Sequence, residues 1–352
     1  MTLNDVFNDA MTHFSLQRFF QKHTGFLRNL KASYVLNNLL NAGRLRQNHE
    51  LYRRYGLRKS IFSPLGSRDF GSQHHPRLRS FGGQADIPWL DRPGALESLE
   101  QNTDFQGFDE NLKKQIRHFV TDGYMVLESF FPEKDSAALN IEVDELLRTG
   151  KAGFNFTGRK IFNLWETSRL ADERFFRNPD LTRLLSFLLG KKVIPFQSLN
   201  FTLGSEQRAH SDSIHMTTEP PGYLVATWIA LEDCTAENGP LFYYPGSHRL
   251  PFVSTEDYDS GNTALTIGEH NNRRYEDKIG QVIQEKSLQK QLFLARRGDV
   301  LIWHANLLHG GSSITKPAAT RRSMVCHYFA EGVICYHEMS QRPALLPKDV
   351  RR

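Results

Sequence analysis

The residues of this chain best placed to do chemistry together are His210 and Asp212, in the run Ala209-His210-Ser211-Asp212-Ser213. An imidazole and a carboxylate two positions apart on an extended strand point to the same face, as two ligands of one metal ion would. The candidate third ligand lies in the run Trp303-His304-Ala305-Asn306-Leu307-Leu308-His309-Gly310-Gly311-Ser312. Two histidines and a carboxylate leave three coordination positions open, the facial arrangement of non-haem iron(II) oxygenases. Open adjacent positions let a cosubstrate and O2 share the ion, which a closed four-ligand site would not allow. The HxD pair alone is a weak signal in a chain with 14 histidines. It gains weight from Arg321, which opens the strand-like run Arg321-Arg-Ser-Met-Val-Cys-His-Tyr-Phe-Ala330. A guanidinium fork binds a carboxylate bidentately. A keto acid that chelates iron through its 1-carboxylate and 2-oxo groups needs its far carboxylate held by such a cation. Iron ligands followed by an arginine therefore predict 2-oxoglutarate.

These residues need a rigid frame, and the pattern supplies one from about residue 109 onward. Asp109 or Asn111 caps a predicted helix running to Asp122, and Gly123 to Pro132 contains a short strand. Glu133 to Ser136 opens a second helix, and Asn178-Pro-Asp180 opens a third that stops at Gly190. From 193 the apolar period falls to two. The predicted strands are 193–203, 223–231, 240–244, 292–295, 299–303 and 321–330, separated by Gly, Pro and Asn. Short strands with this punctuation indicate an all-β sandwich or barrel, and helices first with strands after suggest a barrel backed by helices.

The N-terminal quarter differs in kind. Residues 4–46 read as helical, with Phe and Leu at spacings of three and four. Residues 57–108 are rich in Gly, Pro, Ser and Arg, lack a sustained period, and read as an irregular linker. The expected division is a basic helical extension and linker over 1–108 and a catalytic domain over 109–352, with a polar insertion at about 254–291 expected to form a lid over the barrel mouth. Residues 1–80 carry 13 Lys/Arg against 4 Asp/Glu, whereas the rest of the chain carries 31 against 35. The pI near 9.0 thus belongs to the extension. A basic, Phe/Leu-striped segment over 1–56 either packs on the barrel or docks on an anionic membrane surface.

Composition narrows the rest. The 352 residues are ample for a core without staples. Cys234, Cys326 and Cys335 form no CxxC, which argues against a disulfide framework or a cysteine-based zinc site. No run approaches the ~18 apolar residues of a membrane-crossing helix. The opening MTLNDVFNDAMTHF has acids where a secretory leader has bases. A cytoplasmic location is the expectation, with peripheral membrane attachment as a variant and no nucleic acid expected.

In combination, the motifs resemble the phytanoyl-CoA dioxygenase family of Fe(II)/2-oxoglutarate-dependent oxygenases. The resemblance covers roughly 112–331. Its pieces are FVTDGYMVLESFF (119–131), the HxD at 210–212, TWIALEDCTAENGPLFYYPGSHR (227–249), RRGDVLIWHANLLHGGSS (296–313) and RRSMVCHYFA (321–330), in the family's order. It implies a double-stranded β-helix, a jelly-roll or cupin-like barrel. It implies His210, Asp212 and His309 as iron ligands, and Arg321 as the partner of the 2-oxoglutarate 5-carboxylate. Arg321 is preferred to Arg322 because six residues separate it from His327, as in the family motif; alternation sends the two arginines to opposite faces. Trp228 is implied beside the cosubstrate and Ser312 as a second donor, although the loop after His309 is one residue longer than the family pattern. Asn163 falls where some relatives place a cosubstrate contact and others have Lys. His215 stands where relatives often carry an aromatic residue, as a candidate substrate-facing group. His248, His304 and His327 read as structural.

The implied activity is an Fe(II)-, 2-oxoglutarate- and O2-dependent dioxygenase that hydroxylates an unactivated C–H bond. Halogenating relatives have a small residue where Asp212 stands, so the carboxylate argues for hydroxylation. The substrate reads as a small molecule or an acyl- or carrier-bound species. The alternatives are a membrane-associated oxygenase acting on a lipid or surface glycolipid, and a non-catalytic metal-binding barrel.

Overall fold

The computed structural model describes residues 87–339, apart from 156–157 and 264–265, together with the backbone of 342–343. The basic stripe over 1–56 lies outside the described residues.

Three helices back the large sheet, and each starts where the sequence supplies an N-terminal signal; a fourth lies in the insertion and has none. Helix α3 (Glu110–Asp122) is capped by Asp109, whose side chain accepts from the Leu112 N–H, and it ends at Gly123 in the left-handed region. Helix α4 spans Glu133–Arg148, after Pro132. Helix α5 (Pro179–Leu189) is capped by Asn178 and closed by Gly190 at φ 64°. Helix α6 (Asn271–Glu285) lies in the insertion. Two short helices precede them, α1 (Ala95–Glu100) and α2 (Thr103–Gln106). Their residues were expected to be irregular. Four and six residues are too few to show a helical period, yet Leu99 and Phe105 are fully buried in the main core.

The strands that frame the site are β1 (Tyr124–Leu127), β2 (Lys160–Phe162), β3 (Val193–Phe201), β4 (Thr217–Glu219), β5 (Leu224–Ala230), β6 (Leu241–Tyr243), β7 (Gln291–Phe293), β8 (Val300–His304), β9 (His309–Gly311) and β10 (Ser323–Ala330). They form an antiparallel six-stranded sheet in the order β1-β8-β5-β10-β3-β2 and a three-stranded sheet β7-β6-β9. β4 pairs with β11 (Ile334–His337) in a third sheet that ends in β12 (Arg342–Pro343). The six strands expected from 193 onward are present, with ends that differ by at most two residues. The sheets face one another without joining into a closed barrel.

Alternation divides the large sheet into two faces. Met324, Cys326 and Tyr328 of β10 turn to the helices and join the main core with Leu139, Leu185 and Phe176. Trp228, Leu301, Trp303 and Val325 turn inward and meet Leu241, Tyr243 and Phe293 of the small sheet. The site lies at this inner, aromatic interface.

The core role of α2 is directly testable. Phe105→Ala should cost about 3–5 kcal/mol, as for other buried Phe truncations, whereas Leu96→Ala, 37% exposed, should cost under ~0.5 kcal/mol. Urea unfolding measures both, and equal effects would mean α1 and α2 are not integral to the domain.

Candidate metal centre and cosubstrate pocket

His210 and His309 are brought together by the backbone. The two residues form an isolated antiparallel bridge in which each N–H donates to the other's carbonyl at 2.9 Å. Their rings lie 4.5 Å apart. The Gly310-Gly311 pair permits this close approach. A Cβ at Gly310 would sit 2.6 Å from the Gln207 carbonyl oxygen, and one at Gly311 would run into Ser205 Oγ. Asp212 begins a short 3-10 turn directly after the bridge. The ligand-capable atoms of His210, Asp212 and His309 lie within 4.8 Å of one another, and all three residues are buried.

Neighbouring groups set the chemistry of each. The Nδ1 of His210 is 2.9 Å from the Arg208 carbonyl, and that of His309 is 2.9 Å from the Leu307 carbonyl. A carbonyl only accepts, so each Nδ1 carries the proton and each Nε2 presents a lone pair to the centre. Burial, followed by the charges of His309 and His215, holds the His210 imidazole well below its usual pKa, so it is neutral. Burial alone would raise the Asp212 carboxyl. The imidazoles of His309 and His327 more than offset this and keep it far below the ordinary carboxylate range. Trp303 Nε1 donates to Asp212 Oδ2 at 2.8 Å, leaving Oδ1 turned to His309 Nε2 at 3.6 Å. Two imidazole nitrogens and one ionised carboxylate oxygen suit a divalent first-row ion with positions to spare. They fit iron(II).

A second buried charge lies two residues before β10, with the parity of its inner face. Arg321 is 2% exposed and sits between Phe201 and Trp228, its guanidinium carbon 5.8 and 5.6 Å from their ring centres. One nitrogen donates to the Gly239 carbonyl at 2.9 Å. Its Nε has no partner, and no carboxylate pairs with it among the described residues. Burial pushes its pKa down to about 10, so it remains a cation at neutral pH. Trp228 Nε1 and Ser312 Oγ are also buried without a partner. A buried cation among unsatisfied donors is unstable unless an anion completes it. A dicarboxylate that reaches from the metal centre to this arginine meets that need. Arg322 points to the other face and pairs with Asp144 of α4 at 2.9 Å.

Residues 119–323 match the model of the phytanoyl-CoA dioxygenase (PhyH) family. The chain belongs to this family. As a PhyH member it is an iron(II)- and 2-oxoglutarate-dependent dioxygenase. Among curated PhyH-like proteins, the ectoine dioxygenase of Bordetella bronchiseptica is 26% identical over 224 residues, covering 58% of this chain and 70% of its own. Phytanoyl-CoA dioxygenase 1 of Oryza sativa subsp. japonica is 24% identical over 260 residues, covering 61% and 87%. The crystal structure of the non-heme alpha ketoglutarate dependent epimerase SnoN from nogalamycin biosynthesis superposes with a TM-score of 0.50 at 18% identity, over 63% of this chain and 82% of that one, a likeness of fold.

The remaining sequence candidates take varied places in this PhyH chain. Asn163 is turned to β3, where its Oδ1 accepts from the Ser198 N–H at 3.2 Å. Lys160 instead lies beside the inner face, over the Phe201 ring and 3.2 Å from Gln207 Oε1. His215 packs edge-on between His210 and His337, at 5.7 and 5.5 Å between ring centres. The His304 Nε2 is 3.3 Å from Asp91. His248 covers Gly123, where a Cβ would meet its ring. His327 does more than pack in the sheet: its Nε2 comes within 3.6 Å of Asp212 Oδ2. Its parity with Arg321 was the available signal. Trp303 gave a weaker one, since only the fold shows that its indole reaches Asp212.

Trp303→Phe keeps an aromatic ring but removes the donor to Asp212. Iron(II) or cobalt(II) affinity should fall about 10–100-fold, the usual cost of losing a group that orients a metal ligand. Calorimetric titration of the apoprotein measures it, and an unchanged affinity would show that Asp212 needs no such support.

Proposed function

We propose that this PhyH-family dioxygenase hydroxylates an unactivated C–H bond of a small organic molecule, with His210, Asp212 and His309 holding iron(II) and Arg321 holding the far carboxylate of 2-oxoglutarate. The observation that carries this reading is the buried, unpaired guanidinium of Arg321, two residues before β10 and with the inner-face parity of His327, which abuts Asp212. Iron(II), when bound, supplies O2 activation coupled to oxidative decarboxylation of 2-oxoglutarate. The overall reaction balances with one oxygen atom of O2 in succinate, the other in the product hydroxyl, and carbon dioxide released.

The chain's own residues have distinct tasks. The two Nδ1–H···O=C bonds fix the imidazole tautomers and aim both Nε2 atoms. Trp303 fixes the carboxylate rotamer. Arg321 anchors the cosubstrate, while Trp228 Nε1 and Ser312 Oγ offer further hydrogen bonds. The aromatic lining around Tyr124, Tyr243 and Phe293 excludes water from the interior. An ionised Asp212 leaves no vacated position for a halide, which favours hydroxyl over halogen transfer. The likeness to an ectoine dioxygenase favours a small-molecule substrate.

The iron-loaded protein should convert 2-oxoglutarate to succinate. Arg321→Ala should weaken 2-oxoglutarate binding by about 2–5 kcal/mol, the cost of stranding a buried charged partner, with iron binding retained. Arg322→Ala should leave cosubstrate affinity within about twofold, because a half-exposed ion pair on the outer face is worth little. The opposite ranking in anaerobic titrations would overturn the assignment. His210→Ala or Asp212→Ala with wild-type iron content would do the same for the metal centre.

A further inference from the structure

The insertion after Pro-Gly-Ser-His-Arg was expected to be a polar lid. Its helix α6 also carries an apolar inward face. Tyr275 and Ile279 are buried, at 0% and 1% exposure, against Ile214, Phe242, Tyr244 and Leu308. The helix also grips the chain on both sides of His210. Before it, the guanidinium of Arg208 reaches Asp277 at 2.8 Å and Glu276 at 3.6 Å, while the Arg208 carbonyl receives the His210 Nδ1 proton. After it, the Ser211 N–H donates to the Tyr275 hydroxyl oxygen at 3.0 Å. The Ser211 Oγ lies 3.1 Å from the same hydroxyl and 2.6 Å from Ser213 Oγ.

We infer that Tyr275 is a positioning residue of the metal centre: through the Ser211 backbone, the insertion helix holds His210 and Asp212 in their ligating geometry. This inference rests on the reading of those residues as iron ligands. Ser211 is the only residue between them, so rotation of its peptide would displace both side chains together. Its N–H is buried and needs an acceptor. The Tyr275 hydroxyl supplies it from an element distant in sequence. A buried phenol with one free rotor is a stiffer support than water would be. The insertion thus belongs to the site's scaffold, and the ion pairs of Arg208 fix the carbonyl that sets the His210 tautomer.

The test uses the full chain as apoprotein and cobalt(II) as the probe. Tyr275→Phe preserves the packing and removes the acceptor. Cobalt(II) affinity should fall about 10–100-fold, in line with other losses of ligand support, and the visible cobalt absorption should change in shape. Tyr258→Phe is the control. Its hydroxyl donates to Asn271 at 2.6 Å within the same insertion and touches neither ligand. It should lower the melting temperature as Tyr275→Phe does while leaving cobalt affinity and spectrum as in the wild type. Wild-type affinity and spectrum in Tyr275→Phe would overturn the inference, as would an equal loss of affinity in Tyr258→Phe. A second measurement needs no variant: hydrogen exchange in the wild-type apoprotein should find the Ser211 amide protected, and free exchange there would overturn the clamp. A wild-type chain that takes up no cobalt(II) or iron(II) would instead overturn the metal reading, and the inference with it.

Discussion

Burying the Asp212 carboxylate imposes the strictest demand on this fold, because an ionised group 3% exposed must be matched by donors or by charge. Trp303 of β8 brings an indole N–H, and His327 of β10 brings an imidazole. His309 of β9 faces the other oxygen. Three strands from two sheets therefore converge on one side chain. The backbone bridge between His210 and His309 completes the arrangement, and it requires the two glycines after His309. The protein's own groups stabilise the carboxylate but leave Oδ1 and two imidazole nitrogens directed at a common point. Such an arrangement could hold a divalent ion.

Arg321 presents the complementary demand. It is a cation buried between aromatic rings, and among the described residues its one hydrogen-bond partner is the Gly239 carbonyl. An uncompensated buried charge is among the costlier features a fold can keep. Here a negative centre near His327 and a positive one two residues before β10 stand apart, with unpartnered donors on Trp228 and Ser312. A molecule with a chelating end and a distal carboxylate relieves the cost, and 2-oxoglutarate has that form.

Much of this was legible in the sequence where the signal was local or periodic. The parity that separates Arg321 from Arg322 and the caps at Asp109 and Asn178 depend on neighbours within a few residues; the HxD pair was legible as a pair, but not through the strand alternation expected of it, because His210 lies in an isolated bridge and Asp212 opens a 3-10 turn. What stayed hidden depends on distant contacts. Helices α1 and α2 are too short to show a period, although Phe105 is fully buried. Asn163 and Lys160 lie three residues apart, and only the pairing of β2 with β3 shows that Lys160 is the one beside the inner face. Tyr275 sits in a segment whose charges suggested a lid, and nothing within that segment reveals that its hydroxyl meets Ser211.

The central claim is that one iron ion and one dicarboxylate bridge two buried charges left open by the protein. A crystal structure of the protein grown anaerobically with iron(II) and 2-oxoglutarate tests it most directly. The account predicts a single anomalous iron peak within bonding distance of His210 Nε2, His309 Nε2 and Asp212 Oδ1, with the far carboxylate of 2-oxoglutarate on the Arg321 guanidinium. Iron bound elsewhere, or a 2-oxoglutarate carboxylate that leaves Arg321 unpaired, would contradict it.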